Sequence, residues 1–354
     1  MLYRENGQFK STYRADQQML PILQDRILML ALLAFAFVVV PFAASNYLLL
    51  SILIPFLILA LAAIGLNLLV GYCGQISIGH AAFMAVGAYA AYNLVLRLPV
   101  LNFLVVLVLA GLIAAAVGMV FGIPSLRIKG LYLAVATLAA QFFMDWLFAR
   151  VKWFTDYSHS GSVSTAPVEL LGWRIDSPPE KYVFLLAVLV VFTLLAKNLA
   201  RGHIGRAWMA TRDMDVAAEV IGIRPVYAKL TAFGVSSFYC GVAGALWGFI
   251  QLGAWEPLAF NLTLSLNLLF MIIIGGMGSI LGSYFGAAFI VTLPILLNQL
   301  PQWLGVPLST AMASNLEFMI FGALIIFFLI VEPHGLARLW AIGKEKLRLW
   351  PFPH

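Results

Sequence analysis

The chain is dominated by long, uninterrupted runs of apolar residues separated by short polar segments. Several runs exceed the roughly 18–20 residues that a helix needs to cross a bilayer. Lipid offers the backbone no hydrogen bonds, and the runs do not alternate between apolar and polar positions, so helices are favoured over a barrel. The pattern predicts ten transmembrane helices, at residues 27–44, 46–70, 77–96, 99–122, 131–149, 182–199, 227–252, 258–275, 280–299 and 315–331.

Composition strengthens this prediction and excludes a soluble domain. Of 354 residues, 63% are hydrophobic and 10% are charged, and the mean hydropathy is +0.98. Soluble globular proteins carry about 25% charged residues. The predicted fold class is therefore an all-α integral membrane protein, a polytopic bundle of about ten helices. The two cysteines, Cys73 and Cys240, lie far apart in sequence and predict no disulfide framework.

Basic residues are distributed unevenly between the two predicted sides of the membrane. With the N-terminus inside, sixteen of the 21 Lys and Arg residues fall in cytoplasmic segments. The five on the outer side are Arg97, Arg150, Lys152, Arg174 and Lys181. The positive-inside rule then places both termini in the cytoplasm. It also accounts for the net charge of +6 without a nucleic acid as partner.

The polar segments divide the chain into three parts. Residues 1–26 form a cytoplasmic N-terminal segment, residues 27–331 the transmembrane domain, and residues 332–354 a cytoplasmic tail. The longest polar loops are an outer loop at 150–181 and a cytoplasmic loop at 200–225. The tail interleaves basic residues with Leu and Trp, which predicts an amphipathic helix on the inner leaflet.

The cytoplasmic loop carries the most informative pattern outside the membrane. Residues 206–221 predict one continuous helix, ended by Gly222 in a left-handed conformation. Its charged side chains fall away from a face of small and mildly apolar side chains. That face suits a groove on another protein, but packing on the chain's own bundle explains it equally well. The face consists of Ala207, Ala210, Thr211, Met214, Ala217, Ala218 and Ile221.

Polar residues inside the predicted spans are candidates for a solute pathway. Residues 71–79 contain three glycines, and either a broken helix lining the path or a tight cytoplasmic turn explains them. His80, just inside the next span, is a proton relay or a histidine bonded to a neighbouring helix. The pathway candidates are Asn67, Gln75, Ser77, His80, Thr137, Gln141 and Asn267.

Two further patterns concern duplication and packing. The tetrapeptide Leu66–Leu69 recurs as Leu266–Leu269, through an internal repeat or by chance in a Leu-rich protein. Glycine pairs four residues apart predict close helix contacts. These pairs are Gly118/Gly122, Gly244/Gly248 and Gly282/Gly286.

Several motifs in order along the chain resemble permeases of the branched-chain amino-acid ABC importer family, in particular the longer of the two paired permeases. The cytoplasmic motif resembles the segment that couples these permeases to their ATPases, and the match covers most of the chain. The outer-loop sequence His159–Thr165 replaces a Thr-Gly-Gly stretch of relatives, which leaves the solute open. The motifs are Gly65–Tyr72, Gly74–Phe83, Arg127–Tyr132, Gly205–Ile223 and Gly275–Gly282.

The resemblance implies that this chain transports a small polar solute and has no catalytic site or cofactor of its own. It implies two separate ATP-binding subunits, a second permease of the same family, a periplasmic solute-binding protein and a location in the bacterial inner membrane. No Walker A motif occurs in the sequence, which agrees with ATP binding elsewhere. The implied ATPase-coupling residues are Arg206, Ala210, Met214, Ala217, Ala218, Glu219 and Gly222.

Other functions stay open at this point. An ABC permease for urea, short amides or small carboxylates would share the same motifs. An ion-coupled secondary transporter would usually place an acidic residue near the bilayer midplane, where the sequence has no convincing candidate. An intramembrane enzyme ranks last, because the sequence has no H-E-x-x-H metal motif.

Overall fold

The computed structural model describes residues 11–12, 23–126, 130–158, 162–165, 167–170, 172–303, 310–331 and 335–349. Long helices dominate this part of the chain, as the apolar runs require. They are α1 (Leu23–Ala43), α2 (Asn46–Tyr72), α3 (His80–Arg97), α4 (Phe103–Leu126), α5 (Leu131–Arg150), α6 (Pro178–Arg201), α7 (His203–Asp213), α8 (Asp215–Val220), α9 (Pro225–Leu252), α10 (Leu262–Gly275), α11 (Ile280–Trp303), α12 (Thr310–Val331) and α13 (Gly335–Leu349).

The all-α polytopic fold class is confirmed. Eight helical segments of the described chain are long and apolar enough to cross a membrane. Helices α3 and α12 occupy the positions of the other two predicted spans. The first helix already begins at Leu23, inside the segment predicted to precede it.

Helix α9 lies at the centre of the bundle and α1 at its edge. The most apolar stretch of α9 is 83% buried, whereas that of α1 is 6% buried. Helix α3 packs tightly on α9, because a Cβ atom at Gly87 or Gly244 would overlap backbone of the opposite helix. Gly286 of α11 lies equally close to the backbone of Met271 in α10. The predicted role of small residues in close helix packing is confirmed at these positions.

The outer loop is folded over one end of the bundle. Strand β1 (Val163–Ser164) pairs antiparallel with β4 (Ala254–Trp255), and β2 (Val168–Leu170) forms a hairpin with β3 (Trp173–Ile175). The Arg97 guanidinium lies 3.9 Å from the ring centroid of Trp153 and joins the end of α3 to this loop. The sequence predicted only a polar loop here. Its residues 159–161 lie outside the described part of the chain.

The C-terminal tail forms the helix predicted for it. Helix α13 is amphipathic, with charged residues such as Lys344 among Leu and Trp. Lys344 Nζ lies 3.2 Å from Asp25 Oδ1 at the start of α1, and the Trp340 ring packs against Phe285 of α11. The tail is therefore held against the bundle by an ion pair and a ring contact.

Candidate coupling and translocation site

The loop at 200–225 contains two helices where the sequence predicted one. The prediction of one continuous helix at 206–221 is wrong, because Met214, between α7 and α8, has extended backbone angles (φ −161°, ψ 100°). The break turns α8 so that Ala218 packs against the bundle, and it places Asp215 Oδ2 3.9 Å from the buried Lys229 Nζ of α9. Gly222 has a φ of +88°, the left-handed geometry predicted for it.

The short helix α8 leaves most of its apolar side chains exposed. Val220 is 83% exposed and Val216 68%, and Ala217 is also exposed. Ala218 is 2% exposed and anchors the helix. We call residues 203–222 the coupling segment. Of the predicted coupling residues it exposes Arg206, Met214, Ala217, Glu219 and Gly222, half-buries Ala210 and buries Ala218.

Arg212, which sequence reasoning did not select, joins the coupling segment to the membrane helices. Its Nη1 donates to the Gly71 carbonyl at 2.9 Å, at the end of α2. Its aliphatic stem packs on Gly74, where an added Cβ would come within 2.7 Å of Arg212 Cγ. Asp213 fixes the guanidinium from the other side, at 2.8 Å. A single side chain therefore spans from α7 to the connection between α2 and α3.

That connection, residues 73–79, has no regular helix or strand after Cys73. We call it the membrane break. Its burial alternates, with Cys73, Gln75 and Ser77 buried and Gly74 and Ile76 exposed. Burial raises the pKa of the Cys73 thiol to about 12, and the nearby Lys229 charge opposes this shift. Burial therefore keeps the thiol in its protonated form and away from solvent.

Asn67 clamps the end of α2 to the turn between α10 and α11. Its Nδ2 donates to the Ser279 carbonyl at 2.8 Å and to Ser283 Oγ at 2.9 Å, and its Oδ1 accepts from the Gly278 amide at 2.8 Å. Gly71 must lack a side chain, because a Cβ there would overlap Asn67 and Gly278. The two glycine motifs that the sequence placed far apart therefore meet in space.

The start of α3 is capped by side chains of other helices. Its cap residue, Gly79, has no side chain and lies against the Thr137 backbone. Three amides at this end are bonded instead to distant residues. Thr137 Oγ1 accepts from Ile78 N at 3.0 Å, Ser265 Oγ from Ala81 N at 2.8 Å, and Gln141 Oε1 from Ala82 N at 2.8 Å.

Gln141 is the most connected polar side chain of this cluster. Besides Ala82 N, its Oε1 accepts from Ser265 Oγ at 3.0 Å. Its Nε2 donates to the Phe260 carbonyl at 2.8 Å and to Asp145 Oδ1 at 3.0 Å. The side chain thus joins α3, α5 and α10 with the 3₁₀ turn that ends at Phe260.

His80 is bonded at both ring nitrogens. Nδ1 lies 2.8 Å from Ser77 Oγ, and Nε2 lies 2.8 Å from Ser236 Oγ of α9. This geometry matches a histidine that joins helices. Gln75 differs, because its Oε1 is buried without a partner in the described chain. Asn267 is half-buried, and no hydrogen bond joins its side chain to any described residue.

The structure thus brings five of the seven predicted pathway residues into two hydrogen-bonded clusters. Asn67 belongs to one cluster, and the other contains Ser77, His80, Thr137 and Gln141. Their partners Ser265 and Ser283 were missed by sequence reasoning, because an isolated serine in an apolar helix carries no pattern.

The fold and these clusters define a class: a polytopic membrane protein in which a pair of short helices outside the spans is bonded to the break between two spans. Comparison of the sequence with protein families then identifies the family. Residues 48–329 match the profile described as "Branched-chain amino acid transport system / permease component". The chain belongs to this family of ABC transporter permeases.

Individual relatives agree with this assignment. The chain is 30% identical to the high-affinity branched-chain amino acid transport system permease protein LivM of Salmonella typhimurium, over 89% of this chain and 75% of that protein. It is 30% identical to LivM of Escherichia coli, over 79% of this chain and 68% of that protein. A more distant relative, 24% identical over 50% of this chain and 53% of that protein, is an autoinducer 2 import permease of Photorhabdus laumondii. No solved structure matches the sequence.

The family establishes the general function of this protein. It is a transport permease of the branched-chain amino acid ABC type, which supports this function over the ion-coupled transporter and the intramembrane enzyme considered from the sequence.

Proposed function

We propose that the coupling segment is the docking site for ATP-binding subunits and that Arg212 transmits their movement to the membrane break. The Arg212–Gly71 hydrogen bond carries this proposal, because it is a direct polar link from α7 to the end of α2. A displacement of α7 would pull on the carbonyl of Gly71. The Asn67 clamp would pass that displacement to the turn at Gly278.

The exposed face of α8 supports docking at this place. Val216, Val220 and Ile221 are apolar and are each more than two-thirds exposed, in a cytoplasmic segment. A partner groove would remove this apolar surface from water. Ala217 lies on the exposed side and is small enough to permit close approach. Ala218 faces the bundle, so we assign it to anchoring α8.

The complete importer would contain two ATP-binding subunits, a second permease of the same family and a periplasmic solute-binding protein, in the inner membrane of a bacterial cell. ATP binding and hydrolysis would then bias the membrane helices between two states, which is how alternating access works. The imported solute would be a branched-chain amino acid, as the family name and the two LivM relatives suggest.

Solute contacts are assigned to the predicted pathway residues that keep unsatisfied polar atoms. Among the described residues, Gln75 keeps a buried Oε1 without a partner, and the amide of the half-buried Asn267 makes no hydrogen bond. Burying a polar group without a hydrogen bond is costly. A passing zwitterionic solute would offer both donors and acceptors to these amides.

The experiment that tests this function uses the reconstituted importer with all its subunits. Arg212→Ala removes the link to Gly71. We expect ATP hydrolysis and subunit retention to persist while solute uptake per ATP hydrolysed falls roughly tenfold, which corresponds to about 1.4 kcal/mol of coupling free energy.

The matched control is Arg224→Ala. Arg224 is also an exposed cytoplasmic arginine, stacked over Tyr227 at 5.7 Å, and its removal deletes the same charge. Uptake per ATP should be unchanged in this variant. A ratio for Arg212→Ala equal to that of wild type would overturn the proposed link.

A further inference from the structure

Asp145 is a carboxylate inside a helix that is long and apolar enough to cross a membrane. It lies one turn beyond Gln141 on α5, before the helix ends at Arg150. Its side chain is half-buried, at the edge of the buried face of the helix, between the buried Gln141 and the exposed Ala149. Ionisable side chains are costly within a bilayer, and they pair with another charge or mark a solute pathway. The proposed coupling function does not use this residue.

Within the described chain, Asp145 makes one hydrogen bond and no ion pair. Its Oδ1 accepts from Gln141 Nε2 at 3.0 Å. Arg150, the nearest basic residue in sequence, is exposed at the end of α5 and forms no ion pair with Asp145. A carboxylate can accept about four hydrogen bonds. Most of this capacity is therefore unused by the described residues.

The bond to Gln141 does not by itself require a charge. The Gln141 side chain has three further hydrogen bonds that fix its orientation. An uncharged amide oxygen at position 145 could accept from Nε2 in the same way. It would also avoid the desolvation cost of a carboxylate. The negative charge therefore needs an explanation outside the cluster that caps α3.

The oxygens around Gln141 Nε2 indicate a cationic ligand. Asp145 Oδ1 and the Phe260 carbonyl oxygen both accept from this one nitrogen, at 3.0 and 2.8 Å, so they lie side by side. Two neighbouring oxygen acceptors, one of them charged, match a primary ammonium group, which has three N–H donors and no acceptor.

We infer that Asp145 binds the ammonium group of the transported solute, with the Phe260 carbonyl as a second acceptor. This inference rests on the proposed function, in which the solute is a branched-chain amino acid and so carries an ammonium group. Gln141 is a positioning residue, because its Nε2 holds both oxygens in place. Gln75 and Asn267, the amides already assigned to the solute, are uncharged and leave the ammonium group to Asp145.

The test measures leucine uptake and ATP hydrolysis by the reconstituted importer with all its subunits. Asp145→Asn removes the charge but keeps an oxygen that accepts from Gln141. We expect leucine uptake per ATP hydrolysed to fall roughly tenfold, as for the loss of one partner of a hydrogen-bonded charge pair. The melting temperature should stay within about 2 °C of wild type, because the capping cluster is intact. Asp145→Glu restores the carboxylate and should recover at least about half of the lost uptake.

Glu169→Gln is the matched control. Glu169 is another carboxylate, exposed on the β2–β3 hairpin and paired with Arg174 at 3.0 Å. Its removal should leave leucine uptake per ATP unchanged, because an exposed ion pair contributes little.

Wild-type uptake per ATP in Asp145→Asn would overturn the inference. Loss of the second permease from the purified Asp145→Asn importer would also overturn it, because the charge would then belong to a contact between permeases. Failure of the wild-type importer to take up leucine would instead contradict the proposed solute, on which the inference depends.

Cysteine labelling of the complete importer gives an answer even if the Asp145 variants do not fold. Ala149→Cys places a thiol one turn beyond the intact Asp145, and Ala139→Cys places one on another exposed face of α5. Added leucine should slow the reaction of Ala149→Cys with a water-soluble maleimide roughly threefold or more, and it should leave that of Ala139→Cys unchanged. Equal rates at Ala149→Cys with and without leucine would contradict a solute site at Asp145.

Discussion

The coupling segment and the start of α3 use polar and apolar residues in opposite ways. Around α3, inside the bundle, Thr137, Gln141 and Ser265 bond to backbone amides of the chain itself. On α8, outside the bundle, Val216 and Val220 leave apolar surface uncovered. In the first region the polar groups are bonded within one chain, whereas the second region leaves apolar surface exposed.

This difference helps to distinguish residues that stabilise the fold of a membrane protein from residues that bind another molecule. A polar side chain in the bilayer must find partners, so its presence alone does not indicate a solute site. An apolar side chain exposed in a cytoplasmic segment has no such reason to be there. The strongest indication of a docking function is therefore on α8. The residues that cap α3 are most clearly indicated as stabilising the fold.

The largest effect on stability should come from Gln141→Leu. The substitution keeps a similar volume but strips hydrogen bonds from the buried Ala82 amide and the Phe260 carbonyl. Leaving such groups bare should lower the free energy of unfolding by about 3 kcal/mol. The apparent melting temperature in detergent should fall by about 6 °C.

Phe142→Leu is the control for this variant, because Phe142 is the next residue of α5 and is 56% exposed. Its melting temperature should stay near that of wild type. Equal melting temperatures for Gln141→Leu and wild type would show that the capping cluster contributes little to stability.

A smaller effect is expected from Asn67→Leu. The Gly278 amide and the Ser279 carbonyl that are left bare are only partly buried, so water can reach them, whereas the buried Ser283 hydroxyl also loses its partner. The expected loss is about 2 kcal/mol, again measured as a melting temperature in detergent.

The repeated tetrapeptide offers a matched control. Asn267 has the same immediate neighbours in sequence but makes no hydrogen bond to the described chain. Asn267→Leu should change the free energy of unfolding by less than about 0.5 kcal/mol. Equal destabilisation by the two variants would contradict the clamp.

Much of the fold could be predicted from local sequence, because hydropathy and basic residues report directly on the bilayer. The left-handed Gly222 and the close glycine contacts also followed from residue type alone. The break at Met214 could not, since neither glycine nor proline marks it. It depends on Asp215 facing Lys229 and on Ala218 packing against the bundle, which are tertiary contacts.

The sequence indicated which residue types belong to the candidate site, but it could not show which of these residues form hydrogen bonds with one another. Asn67 and Asn267 lie in identical tetrapeptides, yet only Asn67 meets the turn at Gly278. In the sequence, Arg212 looks like any other charged residue on a solvated helix. Only the folded structure shows that it lies beside Gly71. Long-range contacts of this kind decide which polar residues bond to one another and which remain available.

The central claim, that α8 is the docking surface for the ATP-binding subunits, is tested most directly by cysteine labelling. Ala217→Cys and Ala218→Cys differ by one position, but Ala217 is exposed and Ala218 is buried. Both native cysteines are buried, and the Cys73 thiol is protonated at neutral pH, so they should add little background. A water-soluble maleimide should react with Ala217→Cys at least roughly tenfold faster than with Ala218→Cys in the permease without its ATPases.

Assembly with the ATP-binding subunits should slow labelling of Ala217→Cys roughly tenfold, as burial in an interface predicts. Labelling of Ala218→Cys should stay slow in both states. If Ala217→Cys reacts equally fast with and without the bound ATPases, α8 is not covered by them and the account is wrong.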